Sequence, residues 1–278
     1  MRFVLVHGAA HGAWCWARLI SEIDGLGHQA IAMDLPGHGS RVRETSTIAG
    51  YRKAVVELLD PGDILVGHSM GAMVATLAAD VFQDIAHMVY LAGPAPRNGS
   101  TMAAETAVEY VGGSLELDES EQWLTKYMRF TASGDAFYFD LEGATQCLYN
   151  DCSPELAAWA HARMTPQCLA VANERLSLPN FWELSIPKSY ISCRRDRACP
   201  PRISSVHAQR LGCPTWELDT SHSPFLSEPR ELAELLIKMA TPSLSDARPS
   251  VSHIADRSIP APNAGSSRAG GRVGGVRQ

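Results

Sequence analysis

The sequence predicts an α/β protein built on a parallel sheet of about six strands with helices on both faces. Short runs of aliphatic residues alternate with longer stretches of helical periodicity, and the runs are apolar throughout rather than at every second position. The alternation stops after residue 93 and resumes near 188, which predicts an insertion within one core.

Each element follows from its residues. "FVLV" (3–6) reads as a strand. In "WARLISEIDGLG" (16–27), Leu19, Ile23 and Leu26 recur at helical spacing, and Gly27 suits the stop. "AIAMD" (30–34) is a second strand, followed by the turn-rich "DLPGHGS" (34–40). Ile48, Tyr51, Val55, Leu58 and Leu59 predict a helix over 47–60. A third strand, "DILVG" (63–67), leads into a helix of small residues over 70–81, and "HMVYLAG" (87–93) is a fourth strand. Residues 94–185 are rich in aromatics without strand alternation and read as a largely helical cap. "KSYISC" (188–193), a helix at 201–211, "TWELD" (215–219) and a helix at 228–240 complete the core, which therefore comprises 1–93 and 186–240. Residues 241–278 are dominated by Ser, Pro, Ala, Gly and Arg and read as a disordered tail, too poor in large apolar residues to offset the entropy of ordering. Its five arginines against two aspartates leave an acidic partner as the minority expectation.

Composition narrows the function. A net charge of −6 with no basic block in the folded region argues against nucleic acid. No run approaches the ~18 apolar residues of a membrane span, and "MRFVLVHG" is too short in apolar residues for a signal peptide, so a cytoplasmic protein is expected. The seven cysteines are odd in number and lack zinc-ligand spacing, which predicts reduced thiols and no metal.

"LVGHSMG" (65–71) carries the chemistry. Gly-x-Ser-x-Gly alone is a weak signal, but here an apolar strand precedes Ser69 and a small-residue helix follows. A sharp strand-to-helix turn holds such a serine in a strained conformation and forces its neighbours to be small. It also aims the first amides of the helix at the space where negative charge develops. A serine hydroxyl needs a base. Of the ten histidines, His7, His11, His38 and His68 sit on early loops, His87 precedes a strand, and His253 is in the tail. His222 lies in "TSHSPF", in a loop at the C-terminal end of a strand, where parallel sheets gather function. Asp196 in "YISCRRDRACPP" follows the strand before it and is the expected orienting acid, with Asp219 as its competitor. The chain order Ser69, Asp196, His222 is that of the α/β-hydrolase triad.

"FVLVHGAAHGAWCW", "GHSMGA", "YISCRRDRACPP" and "SHSPFLSEP" together resemble the small α/β-hydrolases of the plant methylesterase and hydroxynitrile lyase group, and bacterial carboxylesterases such as pyrethroid hydrolases. The resemblance spans about 1–240. It implies an α/β-hydrolase fold, an oxyanion hole formed by the backbone amides of Ala9 and Met70, and no cofactor; an ordinary tight turn is the alternative for Ala9. It also implies a serine carboxylesterase acting on small-molecule esters of hydrophobic or aromatic character. A hydroxynitrile lyase and a hydrolase-fold receptor with little turnover are the alternatives. The similar lyases carry threonine and lysine where this chain has Gly8 and Ser223, which favours the esterase. His11, Trp123, Tyr127 and Phe137 are the substrate-binding candidates. A homodimer is compatible with this expectation.

Overall fold

A computed structural model describes residues 1–106 and 123–241. Residues Met1–Thr241 form one compact unit. The expected tail, apart from its first residue Thr241, lies outside the described residues.

The core is a six-stranded sheet in the order β2-β1-β3-β4-β8-β9. Its strands are β1 (Arg2–Val6), β2 (Gln29–Ala32), β3 (Asp63–His68), β4 (Ile85–Leu91), β8 (Lys188–Cys193) and β9 (Thr215–Leu218). Every pairing is parallel. Both faces are buried, which is why the strands are apolar at successive positions. Val4, Val6, Leu65, Met88 and Tyr190 pack under α2 (Ile48–Val56), α3 (Met70–Ala79) and α9 (Pro201–Leu211). Phe3, Leu5, Val66, Val89 and Ile191 pack under α1 (Ala17–Gly25) and α11 (Pro229–Ala240). A short helix, α10 (Pro224–Ser227), precedes α11.

Between β4 and β8 lie α4 (Met102–Thr106), α5 (Trp123–Tyr127), α6 (Leu141–Cys147), α7 (Pro154–His161) and α8 (Leu169–Asn173). The same stretch also forms a three-stranded antiparallel sheet that the sequence reading missed: β5 (Arg129–Phe130), β6 (Ala136–Tyr138) and β7 (Gln167–Cys168). Strands of two or three residues are too short to show an alternating pattern. The fourth core strand is also shifted, to Ile85–Leu91 instead of 87–93. It ends where Ala92 turns into the left-handed region at φ 46°.

The seven cysteines form no disulfide. Among the described residues no helix is long and apolar enough to cross a membrane.

Candidate active site

Strand β3 delivers Ser69 to the C-terminal edge of the sheet. The serine takes φ 51° and ψ −126°, and helix α3 begins at the next residue. This backbone is strained for a residue with a Cβ, and its surroundings leave no room to relax. A Cβ at Gly67 would come 2.5 Å from the Ala72 Cα, and one at Gly71 would come 2.5 Å from the His7 carbonyl oxygen. Gly93, at the end of the neighbouring strand, is a third such position: a Cβ there would lie 2.7 Å from the Ser69 carbonyl oxygen. The first two glycines explain the motif. The third is invisible in it, because it reaches the serine through the sheet rather than along the chain.

Ser69 and His222 line one cavity of about 130 Å³. His222 is held from three sides. Its Nδ1 donates to Asp196 Oδ2 at 2.7 Å, so in the neutral ring Nε2 is left as a lone pair. Its carbonyl accepts from His68 Nε2 at 2.9 Å. The adjoining Ser221 amide donates to Asp151 Oδ2 at 2.7 Å. Asp196 is 4% exposed, and its other oxygen accepts from the amides of Ala198 and Cys199, each at 2.8 Å. Its sequence competitor Asp219 has a side chain 61% exposed, paired with Arg194 and Arg195 and away from the imidazole.

The amides of Ala9 and Met70 also belong to residues lining this cavity, and among the described residues neither donates a hydrogen bond. Donors left unpaired at the lining of a cavity are able to hold negative charge.

A family model described as the alpha/beta hydrolase family matches residues 3–235. The chain belongs to the alpha/beta hydrolase family. Methylesterase 7 of Arabidopsis thaliana is 31% identical over 259 residues, spanning 86% of this chain and 96% of that protein. Salicylic acid-binding protein 2 of Nicotiana tabacum is 30% identical over 258 residues, with the same shares. Among solved structures, an extracellular α/β-hydrolase from a Paenibacillus species superposes with a TM-score of 0.72 at 25% identity, covering 86% of this chain and 98% of that one. A pyrethroid hydrolase from Sphingobium faniae JZ-2 has a TM-score of 0.71 at 20% identity, covering 86% and 97%, and shares the fold. The resemblance drawn from the sequence motifs is thus borne out.

In this alpha/beta hydrolase the early histidines lie inside the protein, not on open loops. His7 and His11 are 0% and 2% exposed. His7 Nε2 accepts from the Leu35 amide at 3.0 Å, so the ring proton sits on Nδ1 and is donated to Gly8 O at 2.8 Å. His11 donates from Nδ1 to Ala9 O at 2.8 Å, and its Nε2 accepts from the Tyr149 hydroxyl at 2.9 Å. Burial pushes His7 down to about 3 and His11 down to about 4, so both are neutral fixtures of the loop carrying Ala9.

Of the expected pocket residues, His11 and Phe137 line the cavity. Tyr127 does not: α5 and the residue after it present Leu124 and Met128 to the cavity, one helical turn apart, and Tyr127 falls off that stripe. The side chain of Trp123 lies outside the described residues. The rest of the lining is mostly apolar, with Met70, Met73, Met102 and Met128 prominent. Gln167, on β7, is a polar lining residue that no local motif singles out.

Proposed function

We propose that the protein is a serine carboxylesterase acting through an acyl-enzyme. The observation that carries this is the hydrogen bond from His222 Nδ1 to the buried Asp196, on a histidine that opens with Ser69 onto one cavity. Ser69 Oγ attacks the ester carbonyl as His222 Nε2 takes its proton. The carbonyl oxygen becomes an oxyanion held by the Ala9 and Met70 amides. Asp196 keeps the imidazole in the productive tautomer and balances its charge. The imidazolium then protonates the departing alcohol, leaving Ser69 acylated. Water repeats the sequence with the same groups, releasing the carboxylic acid and the free serine. The chemistry requires no metal and no cofactor.

The relatives named as esterases support this class of substrate. The apolar, methionine-rich lining supports a hydrophobic acid portion. Its size, about 130 Å³, supports one of roughly a single ring, since an apolar cavity of about 150 Å³ takes benzene. Two features speak against the lyase. A Cβ at Gly8 would come 2.9 Å from both His68 Nδ1 and Ser69 Cβ, so a threonine there has no room. Ser223, at the position of the lyase lysine, is fully buried and carries no cation.

The test is covalent labelling. A fluorophosphonate should attach to Ser69, and Ser69→Ala should lower kcat on short aryl esters by as much as ~10⁴–10⁶ while remaining folded. Labelling elsewhere, or turnover by the alanine variant near that of the parent, would refute the assignment. A parent that is labelled but barely turns over any ester would favour the receptor.

A further inference from the structure

We propose that Gln167 is a positioning residue for the oxyanion-binding loop. The inference rests on the esterase reading above. The loop's critical residue is Ala10, next to the Ala9 amide. Ala10 is 1% exposed and sits in the left-handed region at φ 61°, which an alanine adopts only when its surroundings hold it there. Those surroundings come from the insertion between β4 and β8. The Ala10 carbonyl accepts from the Thr165 amide at 3.0 Å. The Ala10 amide donates to Gln167 Oε1 at 3.4 Å. The next residue, His11, is fixed by Tyr149 as described above.

Gln167 is 2% exposed and is the only side chain among these fasteners that also lines the cavity. Its own orientation is set independently. Nε2 donates to the Cys168 carbonyl at 3.4 Å, which sets which end of the carboxamide faces Ala10, while His38 Nε2 at 3.0 Å and the Tyr51 hydroxyl at 3.2 Å are partners that can take either role. Turning the carboxamide over would set its NH2 against the Ala10 amide and its oxygen against the Cys168 carbonyl, two backbone groups of fixed polarity. The carboxamide thus offers Ala10 a fixed acceptor. This takes the Ala10 amide out of the cavity and leaves the Ala9 amide as the loop's donor to the oxyanion. A loop that lost this acceptor would relax the left-handed turn and swing the Ala9 amide away from its target, a displacement that matters because an oxyanion donor acts only over hydrogen-bond distance.

The role predicts an effect on the transition state and little on ground-state binding. Gln167→Met keeps the bulk and loses the acceptor; Gln167→Asn draws the acceptor back by one methylene; Gln167→Glu keeps it in place. The first two should lower kcat by about 10- to 100-fold, the scale of a misplaced catalytic group, with KM changed far less. They should lower affinity for a trifluoromethyl ketone, whose adduct with Ser69 carries the oxyanion, and leave affinity for the matching methyl ketone nearly intact. Gln167→Glu should recover part of both losses. An unchanged ratio of the two ketone affinities in both Gln167→Met and Gln167→Asn, whatever their melting temperatures, would overturn the proposal. A parent protein that forms no adduct with the trifluoromethyl ketone would instead strike the esterase reading itself.

Discussion

His68 donates from Nε2 to the carbonyl oxygen of His222 at 2.9 Å, and the centres of the two imidazoles lie 4.5 Å apart. The residue just before Ser69 thus holds the backbone of the histidine that faces it, 154 positions downstream. Burial, and then the neighbouring His222, push the His68 ring well below its usual pKa, so it is a neutral donor. Its Nδ1 is buried and has no hydrogen-bond partner among the described residues.

Replacing His68 by phenylalanine keeps a ring against His222 and leaves the His222 carbonyl without its donor. His68→Phe should cost about 1–3 kcal/mol, the penalty of a buried polar group left unpaired. The check is a lower urea midpoint with an unchanged slope, together with a kcat reduced more than KM is raised.

The two candidate acids separate cleanly by mutation. Asp196→Asn preserves shape but puts an amide against His222 Nδ1, and kcat should fall by as much as ~10⁴, by analogy with the serine protease triad. Asp219 is largely exposed and, among the described residues, pairs with the surface arginines Arg194 and Arg195, so Asp219→Asn should change kcat by less than about threefold. Steady-state kinetics on one aryl ester decides it; an inactive Asp219 variant beside an active Asp196 variant would exchange their roles.

A side chain at Gly8 should act on Ser69. Gly8→Thr forces a Cβ against His68 Nδ1 and Ser69 Cβ, both 2.9 Å away. Overpacking of this kind costs about 1–3 kcal/mol. The variant should lose ester hydrolysis and gain no cleavage of mandelonitrile, read as benzaldehyde release. Cyanohydrin cleavage by the variant would show that the pocket accommodates lyase chemistry after all.

Stability should fall in acid in two stages. Burial holds His7 to about 3, His11 to about 4 and His207 to about 4, all below the usual 6.5. The folded state therefore resists protons that the unfolded chain accepts. Their contribution is complete above 6.5 and is lost as pH falls toward 4 and then 3. For Glu105, burial alone would raise the carboxyl, but hydrogen bonds led by Arg210 and joined by Arg97 outweigh it and hold it to about 2. Its contribution persists above the usual 4.5 and fades only below that. Urea unfolding followed from about pH 8 to about pH 3 should show a level stretch, then a slope beginning near 6.5 that continues below 4.5. A midpoint constant down to pH 5 would contradict the histidine burial.

The core was legible because its signals are local. Strand 188–193 and helix 201–211 match the sequence reading residue for residue, since each is bounded by clear apolar or proline-marked limits. Ser69 was legible because Gly67 and Gly71 lie beside it in the chain. Gly93 and Gln167 were not, because their contacts with Ser69 and Ala10 are made across the fold. His11 was legible as a pocket residue but not as a pinned one: only the approach of Tyr149 to its Nε2 fixes its tautomer. Tyr127 was misassigned because aromatic character is visible in a sequence while the facing side of a short helix is not.

The middle of the sheet also has a temporal meaning. Met88 on β4 pairs with Lys188 on β8, a hundred positions later. As the chain leaves the ribosome, the first four strands and the turn at Ser69 are synthesised long before β8 can close against them, and such distant pairings carry the greatest loop-closure cost. Asp196 follows β8 directly, and His222 comes later still. On the proposed mechanism, a nascent chain therefore carries its serine without a base to activate it, and the hydroxyl stays chemically quiet until nearly all of the core has been made.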